Sequence, residues 1–150
     1  MQAKEIMSKK IVSVGRNSSI REIALALAQH RISGLPVLSE GGYLVGIVTE
    51  GDLLRRKITP RTPDFINILG AVIYYHGVDR YNEDFKKMLA QKAEEIMTSD
   101  LVTAKEDTDV SEVAHMMLDN DIKQIPVVDG SKMVGMITRA DIVRLLAMDK

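Results

Sequence analysis

Between residues 3 and 54 the apolar positions follow first a strand rhythm and then a helical one. Ile11-Val12-Ser13-Val14 is a β-prone run that reaches the turn-like Gly15-Arg16-Asn17. Ile20, Ile23, Ala24 and Leu27 then fall at i, i+3, i+4 and i+7, which places them on one face of a helix. Ser19 and Glu22 have capping-box spacing at its start, so the Ser oxygen can take the N3 amide while the Glu reaches back to the N-cap amide. The helix is expected to stop near His30-Arg31, ahead of Gly34 and Pro36. Leu35 to Leu38 reads as a second strand, with Pro tolerated at its beginning because the ladder need not form there. Glu40-Gly41-Gly42 turns the chain into a third strand, Tyr43 to Val48, and Asp52 to Arg56 open a second helix.

The same order returns over residues 93–147. Met97 stands 90 positions after Met7, Pro126 stands 90 after Pro36, and Thr138 stands 89 after Thr49. The lost residue falls in the turn, where Asp129-Gly130 replaces Glu40-Gly41-Gly42 and a change of length costs little. Asp109 and Glu112 occupy the box positions of the repeated helix, with Val110, Val113, Ala114 and Met117 on its buried face. Two matching units, each too small to cover both faces of its own sheet, are expected to pack against each other. Residues 57–92 have no counterpart and read as a helical insertion between repeat 1 (residues 1–56) and repeat 2 (residues 93–150). Thr62-Pro63 offers a cap followed by Pro at N1, and Phe65, Ile66, Leu69, Val72 and Ile73 give an apolar face that ends at His76-Gly77. Asn82 is expected to cap a further helix carrying Phe85, Met88 and Leu89.

Composition narrows the function classes. With 45% hydrophobic and 27% charged residues the chain is an ordinary globular protein, long enough to bury a core unaided. The absence of Cys excludes disulfides, thiolate metal sites and cysteine nucleophiles, and a cytoplasmic setting is expected. A net charge of −1 argues against nucleic acid as the main partner. Met1-Gln2-Ala3-Lys4-Glu5 lacks an apolar core, and Phe65 to Tyr75 is too short to span a bilayer, so neither a secretory leader nor membrane insertion is expected. His30, His76 and His115 lack metal-ligand spacing, and the nine Met read as adaptable core filler. No phosphate-binding glycine loop, nucleophile elbow or dinucleotide fingerprint is present, so no catalysis is expected.

The candidate chemistry lies where the third strand of each unit meets its second helix, at Thr49/Asp52 and Thr138/Asp141. An ionised Asp only accepts hydrogen bonds and a Thr hydroxyl both gives and accepts, so the pair suits the hydroxyls of a ligand. The same residues at N-cap and N3 also make a capping box that needs no ligand. Both readings remain open on residue types alone.

The paired blocks Ile6-Met7, Val12-Ser13, Gly34-Leu35-Pro36-Val37 and Gly46-Ile47-Val48-Thr49-Glu50-Gly51-Asp52 resemble the cystathionine-β-synthase-type (CBS) domain. So do Ile96-Met97, Val102-Thr103, Gln124-Ile125-Pro126-Val127 and Gly135-Met136-Ile137-Thr138-Arg139-Ala140-Asp141, which makes the whole similar to a tandem CBS pair, or Bateman module. The resemblance implies an α+β fold of two β-α-β-β-α repeats packed by pseudo-two-fold symmetry, with two clefts between them and a homodimeric disc of four repeats. It further implies a regulatory module, with no required cofactor, that senses AMP, ADP, ATP or S-adenosylmethionine and acts on a protein target. A structural or interaction module with degenerate clefts is the alternative.

By the same resemblance, adenine lies against one repeat and ribose against the Thr and Asp of the other. Cleft A then contains Ser18, Ile32 and Ser33 with Thr138, Arg139 and Asp141, and Lys123 within reach of phosphates. Cleft B contains Thr108 and Ile122 with Thr49, Glu50 and Asp52, and Ser33 where cleft A has Lys123. Lys and Arg neutralise a phosphate and Glu50 repels one, so cleft A is the expected site for a phosphorylated ligand.

Overall fold

A computed structural model describes residues 1–57, 64–68 and 71–149. Its elements run α1 (Ala3–Ile6), β1 (Val14–Gly15), α2 (Ile20–His30), β2 (Gly34–Leu38), β3 (Leu44–Thr49) and α3 (Glu50–Lys57). The insertion contributes β4 (Asp64–Ile68), β5 (Ala71–His76) and α4 (Val78–Leu89). The second repeat follows as α5 (Ala93–Ile96), α6 (Val110–Asp119), β6 (Gln124–Asp129), β7 (Lys132–Thr138) and α7 (Arg139–Met148). The fold is α+β, as expected. One sheet has the order β1-β2-β3, with β1 parallel and β3 antiparallel to β2. In the second repeat β6 and β7 pair in the same way, and a single parallel bridge, Ala104 to Val127, replaces the β1–β2 pairing.

Local chemistry explains most of these elements. Ser19 caps α2 by accepting the Glu22 amide at 3.1 Å, and Asp109 caps α6 by accepting the Ser111 amide at 2.8 Å. Arg31 closes α2 in the left-handed region at φ 52°. Pro36 lies opposite Ile47, whose N–H and C=O both point to Thr98, so this is a non-hydrogen-bonded pair. Pro36 thus costs the β2–β3 ladder nothing, and Pro126 opposite Met136 repeats the arrangement with Ser8. The β2–β3 and β6–β7 turns place Gly42 and Gly130 at φ 81° and 64°, where a Cβ would be strained.

Several expectations need correction. Strand β1 covers Val14–Gly15, not the whole run from Ile11. Ala24 is exposed, so the buried face of α2 rests on Ile23 and Leu27 with Ile20 and Ala26 beside them. Of the segment expected to be helical, the described residues form instead the antiparallel pair β4–β5, with Ile66 opposite Ile73, and Leu69 lies outside the described residues. Its β-branched and aromatic residues favour extended backbone over a helix. Asn82 is interior to α4, which begins one turn earlier after Gly77. The proposed Thr62-Pro63 cap lies outside the described residues.

The largest departure from a simple tandem is an exchange of leading segments. Helix α1 packs on the second repeat, where the Ala3 amide donates to Thr108 O at 2.7 Å and Ala3 joins the core of Val113, Met117, Ile125, Val127 and Ile137. Helix α5 packs on the first, where the Ala93 amide donates to Ser18 O at 2.9 Å and Ala93 and Ile96 join Ile23, Leu35, Val37 and Val48. The contact that fixes each exchange is a Met over a Gly. A Cβ on Gly46 would lie 2.7 Å from Met97 Cγ, and one on Gly135 would lie 2.8 Å from Met7 Cγ. Gly46→Ala is therefore expected to cost about 1–3 kcal/mol of stability through overpacking. In urea unfolding, Gly46→Ala combined with Met97→Ala should be more stable than the sum of the single losses allows. Strict additivity would show that the two groups do not meet.

Candidate functional site

The third strand of each repeat ends where its helix begins, and both corners are built alike. The Thr49 amide and hydroxyl donate to Asp52 Oδ2 at 2.9 and 3.2 Å, and the Asp52 amide returns to Thr49 Oγ1 at 3.4 Å. The Thr138 amide and hydroxyl donate to Asp141 Oδ2 at 2.8 and 3.0 Å, with the same return bond at 3.4 Å. The capping reading is thus realised at both corners. In each case one carboxylate oxygen is left for another partner.

Those partners differ. Asp52 Oδ1 takes the ammonium of Lys87 from α4, and both residues are buried, at 2% and 6% exposure. Asp141 Oδ1 faces Arg144 at 3.3 Å, a side chain open to solvent. Sequence reasoning missed Lys87 because it lies in the insertion, 35 residues from its partner.

A cavity of about 330 Å³ opens between the repeats. Ile47, Thr49, Glu50 and Gly51 form one wall, and Thr98, Leu101, Val102 and Ile122 form the facing one. Ser33, Lys123 and Gln124 lie along the seam, while Asp100 and Asp121 add two carboxylates to that of Glu50. This is the side assigned to cleft B, and of that assignment it gathers Ser33, Thr49, Glu50 and Ile122. It also takes Lys123, which the sequence assigned to cleft A. Thr98, Asp100 and Leu101 were not singled out as site residues, although they lie between the two repeated blocks Ile96-Met97 and Val102-Thr103.

The other expected residues are placed as follows. Asp52 stands behind Thr49 and does not line the cavity. Ser18 and Thr108 occupy equivalent positions and close local turns, accepting the Gly15 amide at 3.0 Å and the Lys105 amide at 2.9 Å. Ser18 borders a separate open depression of about 1100 Å³ formed by residues 13–18, 22 and 38–42, all within the first repeat. Ile32 packs against the first core. Arg139 is turned back on its own repeat, donating to Ile122 O at 3.2 Å and meeting Asp121 at 3.5 Å. Ser33 and Lys123 hold the corners through their carbonyls, which accept the amides of Glu50 and Arg139 at 2.9 and 3.0 Å. Lys92 and Glu94 pair at 2.8 Å at the start of α5, and their hydrogen bond raises the pKa of the lysine and lowers that of the glutamate.

Comparison with known proteins agrees with this architecture. The chain is 34% identical over 157 residues to MJ1426, an uncharacterised protein of Methanocaldococcus jannaschii, covering 97% of this chain and 91% of that one. It is 34% identical to L-aspartate semialdehyde sulfurtransferase of the same organism, covering 98% of this chain but 23% of that enzyme. Among solved structures, the CBS domain pair of MJ0100 in complex with 5′-methylthioadenosine and S-adenosyl-L-methionine is 32% identical. It has a TM-score of 0.72 over 100% of this chain and 98% of that one. CBSX2 in complex with AMP shares the fold, with a TM-score of 0.81 at 21% identity over 99% of each chain. The CBS domain family model matches residues 3–58 and again residues 93–148, and the chain therefore belongs to the CBS domain family as a tandem pair.

Proposed function

We propose that this chain is a regulatory module, not a catalyst, that senses an adenosine-containing ligand in the cleft between its repeats. The observation that carries this reading is the inter-repeat cavity, with apolar Ile47, Leu101, Val102 and Ile122 for a base and Thr49 at the mouth of α3 for hydroxyls. Cleft A was expected because of Lys123 and Arg139. With Lys123 on the other cavity and Arg139 engaged by Asp121, we assign the ligand to the Thr49 side instead.

Charge then favours one kind of 5′ group. With Asp121 paired to Arg139, Glu50 and Asp100 still outnumber Lys123 along the cavity, so a triphosphate meets repulsion that a thioether or sulfonium does not. The ligands of the MJ0100 pair, 5′-methylthioadenosine and S-adenosylmethionine, support the same preference over AMP, ADP and ATP. The second reading, an interaction module with degenerate clefts, is favoured by the closure of Asp52 with Lys87. A thermal-shift panel separates the two. At a hundredfold excess over Kd a ligand stabilises by about 2.7 kcal/mol, which is about 5–10 °C in Tm for a chain of this size. S-adenosylmethionine or 5′-methylthioadenosine should give such a shift, and silence across the whole adenosine series favours the second reading. Glu50→Gln should improve ATP binding relative to S-adenosylmethionine, and an unchanged ratio would count against the charge argument.

We also assign the exposed helix faces to a second copy of the chain, with a protein target beyond it and the cytoplasm as the setting. Leu54 on α3 and Val143 on α7 hold equivalent positions, and both are exposed, at 67% and 63%. Leu118 on α6 and Leu146 on α7 are exposed as well, at 75% and 67%. Apolar side chains repeated on both helix pairs suit a symmetric partner. Light scattering should find a dimer that the double substitution Val143→Glu and Leu146→Glu converts to monomer. A wild-type monomer would remove this assignment.

A further inference from the structure

Helix α4 packs along α3, and Lys87 near its C-terminal end reaches the Asp52 carboxylate. The carboxylate is filled from within the chain: Oδ2 accepts the Thr49 amide and hydroxyl, and Oδ1 takes Lys87, with Arg55 at 3.7 Å. Glu83, one turn before Lys87 and largely exposed, lies 3.6 Å from the same ammonium. The equivalent Asp141 makes the same bonds to Thr138, but its Oδ1 meets the solvent-exposed Arg144. One chain thus carries the same corner in two states, one sealed by the insertion and one bordered by a side chain free to swing into solvent.

We propose that Lys87 is an intramolecular competitor for the acceptor that a nucleoside's ribose requires. The cleft at Thr49 takes its ligand by drawing Asp52, which stands buried behind Thr49, away from Lys87 and into the cavity, and loss of that ion pair loosens α4 from α3. The inference rests on the reading of this cleft as a nucleoside site. Vicinal hydroxyls are the matched chemistry, since each donates one hydrogen bond and a carboxylate only accepts them. Glu83 keeps a carboxylate beside Lys87 when Asp52 turns to the ligand. Docking of α4 and binding of the diol oppose each other, and by linkage weakening either one strengthens the other. The insertion, which distinguishes this chain from a bare pair of repeats, becomes the element that reports occupancy.

Titration calorimetry on the full chain and on Lys87→Met, with S-adenosylmethionine and 5′-AMP as probes, tests the competition. The variant should bind whichever probe the wild type binds about tenfold more tightly, within the usual range of coupling between sites. The gain should vanish with the matching 2′,3′-dideoxy compound. Equal or weaker binding by the variant overturns the competition and leaves the nucleoside site standing, whereas no binding by either protein overturns both. Should Lys87→Met fail to fold, hydrogen exchange on the wild type decides. The bound probe should speed amide exchange across residues 78–89 while slowing it at 98–102, and unchanged or slower exchange across 78–89 overturns the proposal.

Discussion

Met97 lies over Gly46 and Met7 lies over Gly135, each thioether side chain filling the space that a Cβ would claim. These two contacts anchor an exchange in which the segment leading into each repeat completes the core of the other. Neither core is whole without a helix that precedes the opposite unit, so the two repeats are bound to form together. The exchange also sets the register of the third strands, because Ser8 pairs with Met136 and Thr98 with Ile47 on their outer edges. With those strands fixed, the corners at Thr49 and Thr138 and the cavity wall from Thr98 to Val102 follow. A glycine is needed at the second residue of each Val-Gly-Ile/Met stretch because the crossing segment approaches too closely for any side chain.

Pseudo-symmetry built this way predicts two equal clefts, and the insertion makes them unequal. Taking Asp52 and Lys87 out of water costs several kcal/mol per ion before their attraction is counted, so their pairing is poor evidence of added stability. Removing one partner is another matter, since a buried charge left alone costs about 3–5 kcal/mol. The pair therefore holds α4 in place less by strength than by the penalty for leaving. It also resolves the ambiguity between cap and ligand group. At both corners Oδ2 serves the cap and Oδ1 serves something else, so the two roles use different oxygens and do not exclude each other.

What the sequence made legible was local or repeated. The cap at Ser19, the burial of Ile23 and Leu27, the stop at His30 and the strands around Pro36 and Pro126 each depend on neighbours within a few positions, and duplication supplied a second reading of most of them. The run from Phe65 to Tyr75 failed because apolar residues there satisfy helical spacing as well as alternation. Only the density of Ile, Val and aromatic side chains argued for strands. Ser18 and Thr108 were placed in clefts by analogy, and each also accepts an amide three residues earlier, a use that Gly15 and Lys105 would have suggested. The exchange of leading segments and the reach of Lys87 are non-local, and no periodicity encodes them.

The charge on the cavity follows from the same non-local facts. Arg139 was expected to serve a phosphate, but its guanidinium is committed to the Ile122 carbonyl and to Asp121 across the corner of its own repeat. With Asp121 so paired, Lys123 stands against the carboxylates of Glu50 and Asp100 along the cavity. The amino end of α3 adds the equivalent of about half a positive charge, which does not offset the excess. Shape and apolar contact at Leu101, Val102 and Ile122 suit a base whatever its 5′ substituent, so the base wall cannot discriminate among adenosine compounds. Discrimination falls to the charged rim, and a rim that is acidic on balance admits a neutral or cationic 5′ group at lower cost than a string of phosphates.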